Sequence, residues 1–358
     1  MHILIDISAH GLGHLSQTGP VIEALKILAP SIRVTIRSSL PQPILKETIR
    51  TDFHYLPYAM DIGFIMKNAI DIDFIKSING YRTFHSNWQK RIIFEAKWLS
   101  ENKVDVVLTN VAYLPLAAAR YAKIPSASLC SLNWAELFDH YFIKDSWANN
   151  IHREILSAYQ QADIFLRVTP GLPMENLPNL KIISPIARIG KSARSELAQK
   201  LKISEATRWI LVSMGGMNFQ IALEKWSQIP GINWIVPAAI YIEREDVRSF
   251  AAVDIPFADV LASVDAVVTK PGYGIFTEAA CSGIPILYLE REDWPETSPF
   301  ADWLSINARS QNISRQQLEQ GDFVDELFQL WNKPPPNAPS ANGVDDALKL
   351  LSNLFNLS

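Results

Sequence analysis

The chain has 358 residues, 48% of them hydrophobic, enough for two domains that each bury a core. Its 33 basic and 37 acidic residues give a formal charge of −4 without long blocks of one sign, which disfavours a nucleic-acid partner. Cys130 and Cys281 lie among small or apolar neighbours, which suits buried thiols in a reducing cytosol better than a disulfide or metal site.

Met1 leads directly into the apolar stretch HILIDIS, and no apolar run approaches the roughly 20 residues of a membrane span, so a cytoplasmic protein without a transmembrane segment is expected. Short apolar strands alternate with amphipathic helices. Ile3 to Ser8 is followed by a helix from about Ser16 to Leu28, then Val34 to Arg37, Val104 to Thr109, Leu114 to Tyr121 and Ala127 to Leu132. This alternation predicts a parallel sheet. Residues 40 to 100 are less regular, and Phe64, Phe74, Tyr81, Phe84 and Trp88 suggest helices packing beside the sheet. The segment 168–185 carries Pro170, Pro173, Pro178 and Pro185, the composition of an extended linker that could serve as a hinge.

The alternation restarts with Trp209 to Met214, a helix from Gln220 to Gln228, Trp234 to Pro237, Ala266 to Thr269, a helix from Ile275 to Ser282, and Ile286 to Leu289. A second parallel sheet follows from this. Pro334 to Pro336 precede a terminal helix with Val344, Ala347, Leu348, Leu351, Leu354 and Phe355 in one apolar stripe. The expected division is an N-terminal domain at 1–168, a linker at 169–190, a C-terminal domain at 191–340, and a terminal helix at 341–358 that packs back toward the first domain.

The run TKPGYGIFTEAACSGIPILYLEREDWPE, residues 269–296, reads as strand, glycine turn, helix and strand. Gly272 and Gly274 would let a ligand approach the backbone, and the helix would aim free N–H groups at it. Glu278, one turn inside, would repel phosphate but suits a ribose diol, so the run fits a nucleotide that carries a sugar. The plainer reading is an ordinary βαβ unit in which the glycines serve a tight turn and Glu278 complements the helix dipole. No Asp, His or Cys cluster shows metal-ligand spacing, so a metal-independent reaction without a cofactor is expected.

The opening SAHGLGHLSQTGPVIEALK, residues 8–26, resembles the first glycine loop of two-Rossmann (GT-B) glycosyltransferases. KPGYGIFTEAACSGIP, residues 270–285, is similar to the donor-binding motif of the MurG-like members, and PIARIGKSARSELAQKLKI, residues 185–203, also fits. Closer still is the glycosyltransferase-like N-terminal region of L-arabinokinases. The likeness does not extend to their galactokinase-type part, so kinase activity is not implied. It implies α/β architecture with two Rossmann-like domains whose parallel sheets face across a cleft.

Carried over on these motifs, the resemblance places Gly11, Gly13, Gly272, Tyr273, Gly274, Thr277 and Glu278 at the donor site, with Glu278 on the ribose hydroxyls. Gly215 and Gly216 resemble the loop against the donor diphosphate, unless they form only a strand-to-helix turn. Asp293 and Glu296 match more loosely the positions that hold the transferred sugar, and a solvated acidic loop is the alternative. Arg188 would reach diphosphate oxygens, or be a surface cation.

His14, with His10 nearby, would act as general base toward an acceptor hydroxyl, whereas either alone could equally hydrogen-bond the loop backbone. Asn110 stands where many relatives carry an aspartate that orients this histidine. Asparagine can fix the tautomer but cannot stabilise imidazolium with charge. The implied activity is inverting transfer of a hexosyl- or N-acetylhexosaminyl-type sugar from a nucleotide-diphosphate donor, UDP by resemblance, to an unidentified hydroxyl acceptor. A lipid, a phenolic compound or a saccharide would each suit that acceptor, and a lipid would bring peripheral membrane contact. A nucleotide-sugar 2-epimerase-like isomerase and a non-catalytic nucleotide-sugar-binding protein share the same architecture.

Overall fold

The structure, a computed structural model, describes residues 1–68, 71–215, 221–237, 242–250, 253–291 and 293–357. It divides into two units, Met1–Ile186 with Asn342–Ser358, and Ala187–Ala341. Among the described residues no helix is long and apolar enough to cross a membrane.

The first unit is built on β1 (His2–Ile7), β2 (Arg33–Arg37), β3 (His54–Leu56), β4 (Val106–Asn110), β5 (Ser126–Cys130), β6 (Ile164–Val168) and β7 (Leu180–Ile183). All pairings are parallel, in the order β3-β2-β1-β4-β5-β6-β7. β1, β4 and β5 are buried along their whole length, as strands covered on both faces must be, which is why they read as apolar runs. Leu4 and Val107 contribute to a core with Ala96 and Leu99 of the helix Trp88–Glu101 and Ala118 and Ala119 of the helix Leu114–Ala122. The terminal helix Gly343–Phe355 buries Ala347, Leu351 and Phe355, packs against the helix Leu12–Leu28, and accepts the Ser184 N–H on Asp346 Oδ2 at 3.0 Å.

The second unit repeats the plan with β8 (Arg208–Ser213), β9 (Ile232–Val236), β10 (Val247–Ser249), β11 (Ala266–Thr269), β12 (Ile286–Leu289) and β13 (Ser310–Ile313), ordered β10-β9-β8-β11-β12-β13. Here too every pairing is parallel.

Two expectations are corrected. The proline-rich segment 169–190 is not simply a linker, because Leu180–Ile183 form β7 and pair with β6 from Phe165↔Leu180 to Val168↔Ile183. The stretch between Pro178 and Pro185 is free of proline, and an edge strand needs hydrogen bonds on one side only. The helix expected over Gln220–Gln228 is a single 3₁₀ turn, Leu223–Lys225, with Gln220 outside the described residues. Trp226 anchors the chain there instead: its Nε1 donates to the Leu318 carbonyl at 2.7 Å and its ring packs 4.9 Å from both Trp234 and Phe323.

The sheet of the first unit also carries a buried ion triad. Arg37 on β2, 1% exposed, donates through Nε and Nη2 to both carboxylate oxygens of Asp6 on β1 at 2.7 and 2.8 Å, and through Nη1 to Glu95 at 2.6 Å. Its guanidinium lies 4.9 Å from the Trp98 ring centroid. Removing the cation would leave two carboxylates without compensation, so Arg37→Leu should destabilise the protein by about 3–5 kcal/mol in urea unfolding. The triple variant Asp6→Asn, Glu95→Gln, Arg37→Leu should lose clearly less; equal losses would show that the triad acts through packing alone.

Candidate functional site

In each sheet the connections leave in opposite directions at one point, β1/β4 in the first and β8/β11 in the second, and the strand ends diverge there. Of the sequence-predicted residues, His10, Gly11, Gly13, His14 and Asn110 stand at the first point, and Gly215, Gly272, Gly274 and Glu278 at the second.

At the first, Gly11 adopts φ 100°, ψ 167°, a conformation essentially reserved for glycine, and the helix Leu12–Leu28 starts immediately after it. Gly13 therefore lies in the first turn, which has no acidic residue and no side-chain cap. His14, in the same turn and 5% exposed, places Nδ1 2.6 Å from Asn110 Oδ1. The Asn110 amide is oriented by its own Nδ2, which donates to the Leu129 carbonyl at 2.7 Å. Its oxygen therefore faces His14 and accepts the Nδ1–H, which leaves Nε2 with the lone pair. Burial pulls the His14 pKa down to about 4, opposed by the Asn110 hydrogen bond, so the imidazole is neutral at physiological pH.

Val111 directly after Asn110 has φ 69°, a left-handed conformation unusual for a β-branched residue. Its carbonyl accepts the Tyr159 hydroxyl at 2.6 Å. The turn that presents Asn110 is thus held under strain by its surroundings.

Two further residues belong to this point, Trp134 and Asp61, the second of which was not singled out from sequence. Trp134, fully buried, lies with its ring 5.2 Å from His10 and 5.9 Å from His14, and its Nε1 donates to Asp61 Oδ2 at 2.8 Å. Burial raises the Asp61 pKa to about 6, opposed by hydrogen bonds from Trp134 and Ser8. His10 and His14 are edge-on to each other at 6.3 Å.

At the second point, Thr269 at the end of β11 donates its hydroxyl to the Ser213 carbonyl on β8 at 2.6 Å. Gly215 follows β8 with φ 75°, and a Cβ built on it would sit 3.8 Å from the Lys270 ammonium. Lys270, also missed from sequence, is thereby set beside the glycine turn and before the helix Tyr273–Cys281. Burial, then repulsion from Arg291, lowers its pKa to about 8, while Glu296 acts the other way.

Gly272 caps that helix with φ −174°, which any residue adopts, and a Cβ on it would meet no protein atom closer than 3.9 Å. The fold itself does not require glycine there. Gly274 lies in the first turn, which again has no acidic residue and no side-chain cap. Glu278 follows one turn later, its pKa pushed up to about 7 by burial against the charge and the backbone hydrogen bond of Arg188.

Three expected donor contacts fall elsewhere. Tyr273 is 3% exposed with its ring 6.3 Å from Phe300, and Thr277 is fully buried with its hydroxyl donating to the Tyr273 carbonyl at 2.9 Å, because these positions form the core-facing stripe of the helix. Glu296 is turned inward, accepting the Trp294 Nε1–H at 3.1 Å, and serves as a countercharge to Lys270. Asp293 is exposed, and Gly216 lies outside the described residues. Among the described residues no group of three or more His, Cys, Asp or Glu side chains is arranged to hold a metal ion.

No family model matches the chain. It is similar to the L-arabinokinase of Arabidopsis thaliana, with 21% identity over 349 residues, 96% of this chain and 33% of that protein. The chain spans about a third of the length of that curated relative. Among solved structures it is similar to CalG4, the calicheamicin glycosyltransferase, at TM-score 0.66 and 15% identity over 99% of this chain and 98% of the other. It is also similar to the spinosyn rhamnosyltransferase SpnG complexed with thymidine diphosphate, at TM-score 0.56 and 14% identity over 99% and 96%. Together with the two strand orders, these likenesses identify the fold as GT-B.

The His14–Asn110 contact has a titration consequence. Asn110→Asp places a carboxylate against Nδ1 and should raise the His14 midpoint from about 4 by about 1–3 in pH, followed by NMR of the imidazole. An unmoved midpoint would show that the two side chains do not share a proton in solution.

Proposed function

We propose that this protein is a glycosyltransferase. The unit Ala187–Ala341 binds a nucleoside-diphosphate sugar, with UDP the first nucleotide to test, and the unit containing β1 presents a hydroxyl acceptor. The observation that carries this reading is the complementary chemistry of the two switch points. One holds a cation and an uncapped helix N-terminus beside a buried carboxylate, the other a neutral histidine with a free Nε2.

In this reading the Lys270 ammonium and the N–H groups of the first turn of the helix Tyr273–Cys281 lie against the diphosphate, and Glu278 accepts hydrogen bonds from the ribose hydroxyls. The acceptor oxygen attacks the anomeric carbon on the face opposite the diphosphate. The anomeric C–O bond breaks with its electron pair leaving on the nucleoside diphosphate, and the acceptor proton passes to His14 Nε2. The configuration inverts, and the fixed positive charge at the diphosphate replaces a metal ion.

A base with a pKa near 4 is weak toward an alcohol, so proton transfer is late, completed as bond formation acidifies the acceptor oxygen. Asn110 fixes the tautomer without lending charge. Asp61, largely ionised above about pH 6, accepts the Nε1–H of the indole that packs against His14 and so fixes that ring.

Isothermal titration of the whole protein with UDP, GDP, dTDP and their sugar conjugates tests the donor assignment. Saturable binding by one nucleotide family is expected, weakened about tenfold or more by Glu278→Ala and by Lys270→Ala. No binding by any nucleotide sinks the reading, and binding without transfer to any hydroxyl acceptor would leave a binding protein in place of an enzyme.

The same titration has a pH signature. Lys270 carries its charge below about pH 8 and Glu278 carries its charge above about pH 7, so nucleotide affinity should peak between these values and fall on either side. Lys270→Arg should abolish the alkaline fall while keeping the acid one; an alkaline fall that persists in that variant would assign it to another group.

A further inference from the structure

The first unit has a cavity of about 530 Å³ on its helical flank, away from the ends of β1 and β4. It is formed where the helices Trp88–Glu101, Leu114–Ala122 and Ala148–Gln160 meet, and its size is that of a small-ligand pocket. Trp88 and Tyr121 supply aromatic surface, Arg120 and Arg153 supply guanidinium groups, and Glu154 supplies a carboxylate. Among the described residues Arg120 makes no side-chain hydrogen bond or ion pair.

Glu154 is the most constrained of these groups. Its Oε2 lies 2.6 Å from His85 Nδ1, and its Oε1 accepts from Asn150 Nδ2 at 2.9 Å. His85 in turn contacts the buried Tyr113 hydroxyl through Nε2 at 3.0 Å and stacks on Trp88 at 4.9 Å with an interplanar angle of 25°. With the imidazole neutral, Nδ1–H donates to Glu154 and Nε2 accepts from Tyr113, so the chain is satisfied with one tautomer. The result is a carboxylate whose two oxygens are held by His85 and Asn150, with His85 itself held by Tyr113, on the wall of a cavity where the same histidine stacks on Trp88. Nothing in the proposed transfer reaction uses it.

We propose that this cavity is a second ligand site that binds an acidic saccharide, one bearing a carboxylate or phosphate. The C–H face of the sugar ring lies on Trp88, its hydroxyls donate to Glu154, and its acidic group meets Arg120 and Arg153. The two guanidiniums outnumber the single carboxylate, which selects an anion. The fixed acceptor beside an aromatic face selects a hydroxylated ring over a plain aromatic acid.

Isothermal titration of the whole protein with D-glucuronate and glucose 1-phosphate, beside glucose and benzoate, tests this. Both acidic sugars are expected to bind saturably and more tightly than glucose or benzoate. Arg120→Gln, at an exposed position that the core does not depend on, should weaken them about tenfold, and Trp88→Ala comparably with partial rescue by Trp88→Phe. UDP affinity should be unchanged in Arg120→Gln, which separates this site from the donor site. No binding by either acidic sugar, equal binding of benzoate, or binding lost in Lys270→Ala but kept in Arg120→Gln would each overturn the proposal.

Discussion

A parallel pair of strands cannot be closed by a tight turn; each strand must be followed by a crossover that carries the chain back along a face of the sheet. In both units the crossovers run one way from β1 and β8 and the other way from β4 and β11, so at each of those boundaries two neighbouring strands send their chains to opposite sides. His14, Asn110, Gly215 and Lys270 stand where they do because of that reversal. The chemistry is placed by topology first and tuned by local contacts second.

The tuning is done chiefly by removal of water. Burial moves His14 and Lys270 down and Asp61 and Glu278 up, which brings three of the four toward the neutral range and leaves His14 uncharged. These shifts come from sheet ends packed under helices, not from a dense cluster of opposed charges. Lys270 has Arg291 and Glu296 pulling in opposite directions, and Glu278 has Arg188 as a nearby cation.

The sequence made the sheets legible where strands are buried on both faces. HILIDI and AVVT are mostly apolar, and the structure has strands at His2–Ile7 and Ala266–Thr269. β7 was hidden because its four residues lie among prolines that read as a linker, and the Leu223–Lys225 turn because Trp226 is anchored by residues almost a hundred positions away. At the sites, glycines and titratable residues in motifs could be read, but which face of a helix they occupy could not be fixed from a motif alone, and Tyr273 and Thr277 turned out to be core. Asp61 gave no local signal; it meets Trp134 across 73 positions and lies in the least regular part of the chain. Lys270 was in plain view in the motif and was passed over, since its meaning depends on Gly215, which arrives from another strand.

Val111 joins a strained backbone to a fully buried side chain. A β-branched residue held at positive φ costs of order 1–3 kcal/mol. Its isopropyl group lies in the core, where burial returns about 1.5–3 kcal/mol. Glycine would relieve the strain but empty that space and loosen the unfolded chain further, so it offers no route to a more durable protein. The packing that stabilises this residue is thus also what holds the backbone that aims Asn110, and the two cannot be relaxed separately.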